Sequence, residues 1–216
     1  MKLNTILIIF IALLLSCNER HSDGNEIDMK YEKEKETVRL SIILQPFEGL
    51  PKSNTNHVAE QLKEIYSGDI IVNNSIPLPK NALNHDKTRY RADSLIRYLG
   101  TLVKDGQLII GLTQNDISTN KGKDADWGVM GLGYSPGKSC IASTFRLKGK
   151  NRLNKLFKVA IHELGHTQGL ARTKTKHCPE KTCLMRDAEG KDHLDELKMF
   201  CSKCKPILEN AGWSLK

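Results

Sequence analysis

His162-Glu163-Leu164-Gly165-His166 places two imidazoles four residues apart with a carboxylate beside the first. On a helix advancing about 100° per residue, His162 and His166 project from one face a turn apart and can share a metal ion. Glu163, next round the helix, can stand beside that ion without ligating it and take a proton from a water that the ion polarises. Such a water attacks a peptide carbonyl, the ion stabilises the developing oxyanion, and the carboxyl passes the proton to the leaving nitrogen. On an ordinary surface helix the same five residues would be solvated histidines and an exposed glutamate, so the flanking sequence has to separate the two readings.

The text continues Thr167-Gln168-Gly169. A glycine at this offset lets the helix stop in a positive-φ conformation and turns the chain back towards the ion. A catalytic zinc has three protein ligands and an open position for water. In the extended motif HExxHxxGxxH the third ligand would stand at position 172, which is Arg172. The next histidine is His177, and the intervening LARTKTK holds no ordinary zinc ligand. We read that stretch as a lengthened loop, which costs little because closure entropy grows slowly with length. His177 is the expected third ligand, with Glu180, Asp187 or no third protein ligand as alternatives.

Cys178 and Cys183 form C-x4-C, and Cys201 and Cys204 form C-x2-C. Two close thiol pairs suit a tetrahedral structural zinc with no open position. In an oxidising compartment the alternative is two disulfides. A redox role for the C-x2-C pair lacks a preceding strand-helix context. Cys140, alone in a predicted strand, reads as a small buried hydrophobe.

Elements must hold these groups in place. Leu153, Leu156, Phe157, Ala160, Ile161 and Leu164 recur at three and four positions, the stripe of a helix packed on a core, and His162 and His166 lie opposite it. Upstream, Val38 to Leu44 reads as a strand, Val58 to Tyr66 as a helix, Asp69 to Val72 as a short strand and Ile76 to Pro79 as a proline-punctuated loop. Arg91 to Leu99 reads as a helix and Leu108 to Leu112 as a buried strand. After a polar loop, Trp127 to Tyr134 and Cys140 to Phe145 read as two strands joined through Ser135-Pro136-Gly137-Lys138. This is one α/β or α+β domain. Gly137-Lys138-Ser139 is not a phosphate loop, since Leu132 stands where the first glycine is required. Gly131, Gly133 and Gly137 instead permit an open edge and a tight turn beside a cleft.

The N-terminus, MKLNTILIIFIALLLSC, has an apolar run from Ile6 to Leu15 that is too short to span a bilayer comfortably, and reads as a signal peptide. Leu14-Leu15-Ser16-Cys17 resembles the lipobox of bacterial lipoproteins, which implies cleavage before Cys17 and lipid attachment to it. The alternative is an ordinary cleaved signal. We therefore expect a signal peptide over residues 1–16, a flexible tether over 17–36, too polar to bury a core, and a folded domain over 37–216. The expected location is outside the cytoplasm, lipid-anchored to a membrane of the bacterial cell envelope.

The formal charge of +8 comes without a recognition helix or an aromatic-interleaved basic strand, and an exported chain rarely meets nucleic acid, so that partner is excluded. The excess reads as a solvated basic surface. Two runs, Arg146, Lys148, Lys150, Arg152, Lys155, Lys158 and then Arg172, Lys174, Lys176, Lys181, flank the candidate site. Acidic substrates or an anionic membrane surface are the secondary reading of those runs. Oligomeric state has no signature in the sequence.

The segments HELGHTQG, HCPEKTCLM and FCSKC are similar to the archaemetzincins, a branch of the metzincin zinc peptidases. A looser likeness runs through SIILQPF and the RYRAD segment at Arg89 to Asp93, so that it covers most of residues 38 to 205. The resemblance implies an α+β, metzincin-like zincin fold: a twisted mixed sheet over an active-site helix, with a C-terminal part held by a second metal. It implies that the third histidine directly precedes the first cysteine, as His177 precedes Cys178, and that Met185 forms a Met-turn beneath the metal. It favours a second zinc at Cys178, Cys183, Cys201 and Cys204, hence one catalytic and one structural ion. By analogy the edge around Gly131 to Tyr134 pairs with an extended peptide or protein substrate. The departure at Arg172 leaves an alternative function, a zinc-containing module that binds peptides without turnover.

Overall fold

The computed structural model describes residues 40–170, 177–187 and 193–216. The expected signal peptide, Cys17 and the tether lie outside the described residues, as do Arg172 and the start of the strand expected at Val38. The first half of the domain runs β1 (Ser41–Pro46), α1 (Lys52–Ile65), β2 (Ile70–Val72), β3 (Tyr90–Arg91), α2 (Ala92–Gly100) and β4 (Gln107–Thr113). The second half runs β5 (Ile117–Lys121), β6 (Asp124–Val129), β7 (Gly131–Gly133), β8 (Ser139–Ser143), α3 (Arg152–Gly165) and α4 (Lys205–Asn210).

Strands β2-β1-β4-β8-β7 form a mixed five-stranded sheet, parallel throughout except for antiparallel β7 at the edge. Successive side chains of a strand alternate between faces, and here both faces are covered. Ile42, Leu44, Leu108 and Ile110 join the core with Val58 and Leu62 of α1 and Leu156, Ala160 and Leu164 of α3. Ile43 and Ile109 point the other way, into a second cluster with Leu95, Ile96 and Leu99 of α2. Burial on both faces explains why the central strands read as continuous apolar runs.

Several expectations need correction. Helix α1 starts at Lys52, ahead of the expected Val58; its first turns are largely solvated and carry no apolar stripe for a sequence pattern to register, only Thr55 among Lys52 to His57 being buried. Trp127 to Tyr134 is not one strand. It divides at Met130 between β6 and β7, which belong to different sheets. The stretch read as a polar loop contains β5 and most of a hairpin with β6, whose outward face is too polar to register as a strand. Together with β3 this hairpin forms a separate three-stranded sheet. Leu153, counted in the α3 stripe, is exposed on the first turn.

The chain beyond α3 is folded back by short bridges, Cys178 with Arg186 and Cys183 with Met199. Trp213 packs edge-on against Tyr66 at the end of α1 and against Phe200, which fastens the C-terminal part to the main core.

Candidate active site

Helix α3 buries Leu156, Ala160, Ile161 and Leu164 and turns His162 and Glu163 to a cleft, with His166 buried one turn on. The helix ends in a wider turn over His166–Leu170, where Gly169 takes a φ of 95°, the left-handed conformation that a helix stop requires. The Nδ1 of His162 lies 2.6 Å from the carbonyl oxygen of Leu184. A carbonyl only accepts, so Nδ1 carries the proton and the Nε2 lone pair faces His166 Nε2 at 3.0 Å. Burial, opposed by the Leu184 carbonyl, brings the His162 pKa down to about 4, so the ring is in the neutral form that ligates metals.

The structure brings His177 to these two residues across the segment 171–176. Its ring centroid is 5.3 Å from that of His162 and 5.0 Å from that of His166. One ligand nitrogen from each of the three histidines lies within 4.8 Å of the others. Zinc bound to nitrogen at about 2.0–2.1 Å sets tetrahedral neighbours about 3.4 Å apart, so this trio fits the ion with small adjustments. Asp187, one of the alternative ligands, instead stands 3.2 Å from His177 Nδ1. A carboxylate there favours Nε2 as the metal donor. Glu180 is exposed and is absent from this cluster.

Glu163 is pressed under β7. A Cβ on Gly131 would lie 2.6 Å from Glu163 Cγ, and one on Gly133 would lie 2.2 Å from the Glu163 carbonyl oxygen, so the edge strand can approach this closely only as glycine. Burial pushes the Glu163 carboxyl up to about 8, against a hydrogen bond from the Gly133 amide. Met185 is fully buried below the helix end, where a Cβ on Gly165 would lie 2.7 Å from its sulfur.

The four thiols of Cys178, Cys183, Cys201 and Cys204 form a second cluster within 4.8 Å. Cys178 and Cys201 sulfurs are 3.6 Å apart, and those of Cys183 and Cys204 are 3.8 Å apart. Tetrahedral zinc with Zn–S of about 2.3 Å sets sulfurs about 3.8 Å apart, whereas a disulfide needs about 2.05 Å. The arrangement therefore fits a closed metal site, and all four cysteines are free thiols. Burial opposes the thiolate at Cys201, but the amides of Lys203 and Cys204 and the neighbouring thiols outweigh it and bring the group down to about 7. Cys140 is fully buried in the core, as expected of a small hydrophobe.

His162, Glu163 and His177 open on a cleft of about 520 Å³, whose walls include Gly131, Trp127 and Met130. The sequence reading missed much of this wall. Trp127 and Lys121 carry no local signal, and Asp187 entered only as an alternative ligand. Of the basic run at 146–158, Arg146 is held by Asp116, Lys155 by Asp195 and Lys158 by the Leu194 carbonyl. Those three are structural bonds rather than a free basic surface.

A mixed sheet over a helix that presents HExxH to a cleft, with a further histidine brought back beside it, is the architecture of a zinc metallopeptidase. The model of peptidase family M54 matches residues 36–210. Archaemetzincin of Haloquadratum walsbyi is 27% identical over 182 residues, covering 78% of this chain and 99% of the relative. The crystal structure of archaemetzincin from Methanopyrus kandleri superposes with a TM-score of 0.67 at 26% identity, covering 81% of this chain and 96% of that one. That of Archaeoglobus fulgidus archaemetzincin, complexed with malonate, shares the fold with a TM-score of 0.64 at 23% identity, covering 78% and 99%. The chain belongs to the archaemetzincins, peptidase family M54.

Proposed function

We propose that the chain cleaves peptide bonds with His162, His166 and His177 as the ligands of a catalytic zinc and Glu163 as general base. The observation that carries this reading is the convergence of three imidazoles on one point beside a buried carboxyl at a cleft. Zinc held there supplies Lewis acidity, which acidifies water and polarises the substrate carbonyl. The chain's own part is to hold and move the proton. Glu163, fixed beneath β7 by the Gly133 amide, would be ionised by the positive charge of an ion beside it, which opposes the burial that raises its carboxyl; as carboxylate it accepts the proton and delivers it to the leaving nitrogen. Among the described residues the outer edge of β7 has no strand partner, which supports an extended substrate lying along it.

In the same reading Cys178, Cys183, Cys201 and Cys204 hold a second, structural zinc, and Met185 forms the floor of the catalytic site. Residues 37–216 are the catalytic domain, and Cys17 carries a lipid that anchors the mature chain through the tether 17–36 to a cell-envelope membrane. Replacing Cys17 with Ser should move the protein from the membrane to the soluble fraction.

The decisive variant is Glu163→Gln. Loss of peptide hydrolysis with the metal content kept supports the mechanism, and surviving cleavage overturns it. A zinc-loaded wild type that binds peptides without cutting them supports the non-catalytic module instead.

A further inference from the structure

We infer that two cations of the cleft select substrates with a carboxylate close to the scissile bond, an inference that rests on the hydrolytic reading above. Four cations line the cleft: Lys121, Arg146, Lys148 and Arg186. Two are neutralised within the fold. Arg146 sets Nε and Nη2 on the Asp116 carboxylate, each at 2.9 Å. Arg186 is paired with Glu196, which also accepts from His193.

Lys121 and Lys148 are exposed, and no acidic group among the described residues pairs with either. Lys121 Nζ rests 4.5 Å from the centre of the Trp127 ring. A cation on an aromatic face is held in place and keeps its full charge. The acids lining the cleft are Glu163, buried against β7, and Asp187, engaged by His177. Lys121 and Lys148 are therefore the cations of the cleft that no described acid holds, and they are the groups left to meet an anionic ligand.

Apolar Val129, Met130, Val159, Leu194 and Leu197 line the same space. Low-dielectric walls focus the field of the two ammonium groups into the cleft, which favours an anionic ligand during both encounter and binding. The matching group on a peptide is a carboxylate, supplied either by an Asp or Glu side chain or by the free C-terminus. No specificity follows from the neutralised arginines.

The test uses the zinc-loaded protein and matched quenched-fluorescence peptides. These carry Glu or Gln at each position flanking the cleavage site, with a free or amidated C-terminus, and are assayed at low and high ionic strength. We expect kcat/KM on the order of tenfold higher for the carboxylate member at low salt, shrinking as salt screens the wall. The double variant Lys121→Met, Lys148→Met should bring the ratio towards one. A preference that follows the side chain identifies acidic residues as the determinant, and one that follows the free terminus identifies the α-carboxylate.

Equal cleavage of all members, or a ratio the double variant leaves intact, overturns the inference. Should no peptide be cut, the hydrolytic reading fails by itself. The same sequences without fluorophores are then titrated against Glu163→Gln protein, with the tryptophan emission that a Trp127→Phe variant lacks as readout. Tighter, salt-sensitive binding of the carboxylate member supports the inference, and equal binding overturns it.

Discussion

His162 donates through Nδ1 to the carbonyl oxygen of Leu184 at 2.6 Å, and Leu184 stands between Cys183 of the thiol cluster and Met185 beneath the helix end. One short segment thus sets the ring orientation of a histidine of the trio and carries a thiol of the second cluster. Partners behind a metal-binding histidine fix its tautomer and aim, and their loss commonly weakens metal binding about 10–100-fold. Replacing Cys183 with Ser should therefore loosen a metal bound at the histidine trio, acting through the adjoining Leu184 carbonyl. Chelator competition followed by metal analysis would show this, and an unchanged affinity in a variant of native circular dichroism would refute the linkage.

Asp187 gives a second test of the same logic. Its carboxylate, 3.2 Å from His177 Nδ1, is placed to orient that ring. We expect Asp187→Asn to weaken metal affinity by about tenfold and to lower turnover with it, since the amide keeps the shape and removes the charge. Equal affinities in a zinc-indicator titration would leave Asp187 without a positioning role.

Substitution at Gly133 should be costly. The nearest atom to an added Cβ is the backbone oxygen of Glu163 at 2.2 Å, and backbone cannot rotate away as a side-chain tip can. Gly133→Ala should destabilise the fold by about 1–3 kcal/mol through forced displacement of β7 or α3. Urea unfolding measures that cost, and a loss below the resolution of the method would mean that the strand sits less tightly than described.

The ion pair of Arg146 and Asp116 supports the cleft from behind. Asp116 has a side chain only 8% exposed and receives Arg146 in a two-pronged contact as well as Arg89 Nε. Removing Arg146 leaves part of a buried carboxylate's bonding unmet, which we expect to cost about 1–3 kcal/mol. A double-mutant cycle with Asp116→Asn isolates the coupling, and additive losses would exclude it.

Some of this was readable from local pattern. A helix repeats every 3.6 residues, so the buried stripe of α3 and the pairing of His162 with His166 beside Glu163 follow from neighbours a turn apart. The doubly buried strands β1 and β4 announced themselves as apolar runs for the same local reason. The β5–β6 hairpin did not, because a sheet with a wet face needs few apolar residues, and Thr119-Asn120-Lys121 looks like loop. Nor could the division of Trp127 to Tyr134 be seen, since partners elsewhere in the chain decide which sheet a strand joins.

The sequence by itself determined the chemistry on offer: two histidines and a glutamate on one helical face, and thiols in two close pairs. Tertiary structure decided how those groups meet. The convergence of His177 on the α3 pair, the turn of Asp187 from possible ligand to the back of a histidine, and the passage of Leu184 behind His162 all depend on distances between segments remote in sequence. So does the charge of the cleft, where Arg146 and Lys148 are near neighbours in the chain but, among the described residues, only Arg146 meets an acid. Spacing specifies contacts within a few residues; contacts across the fold are set by the packing that closes the chain on its core.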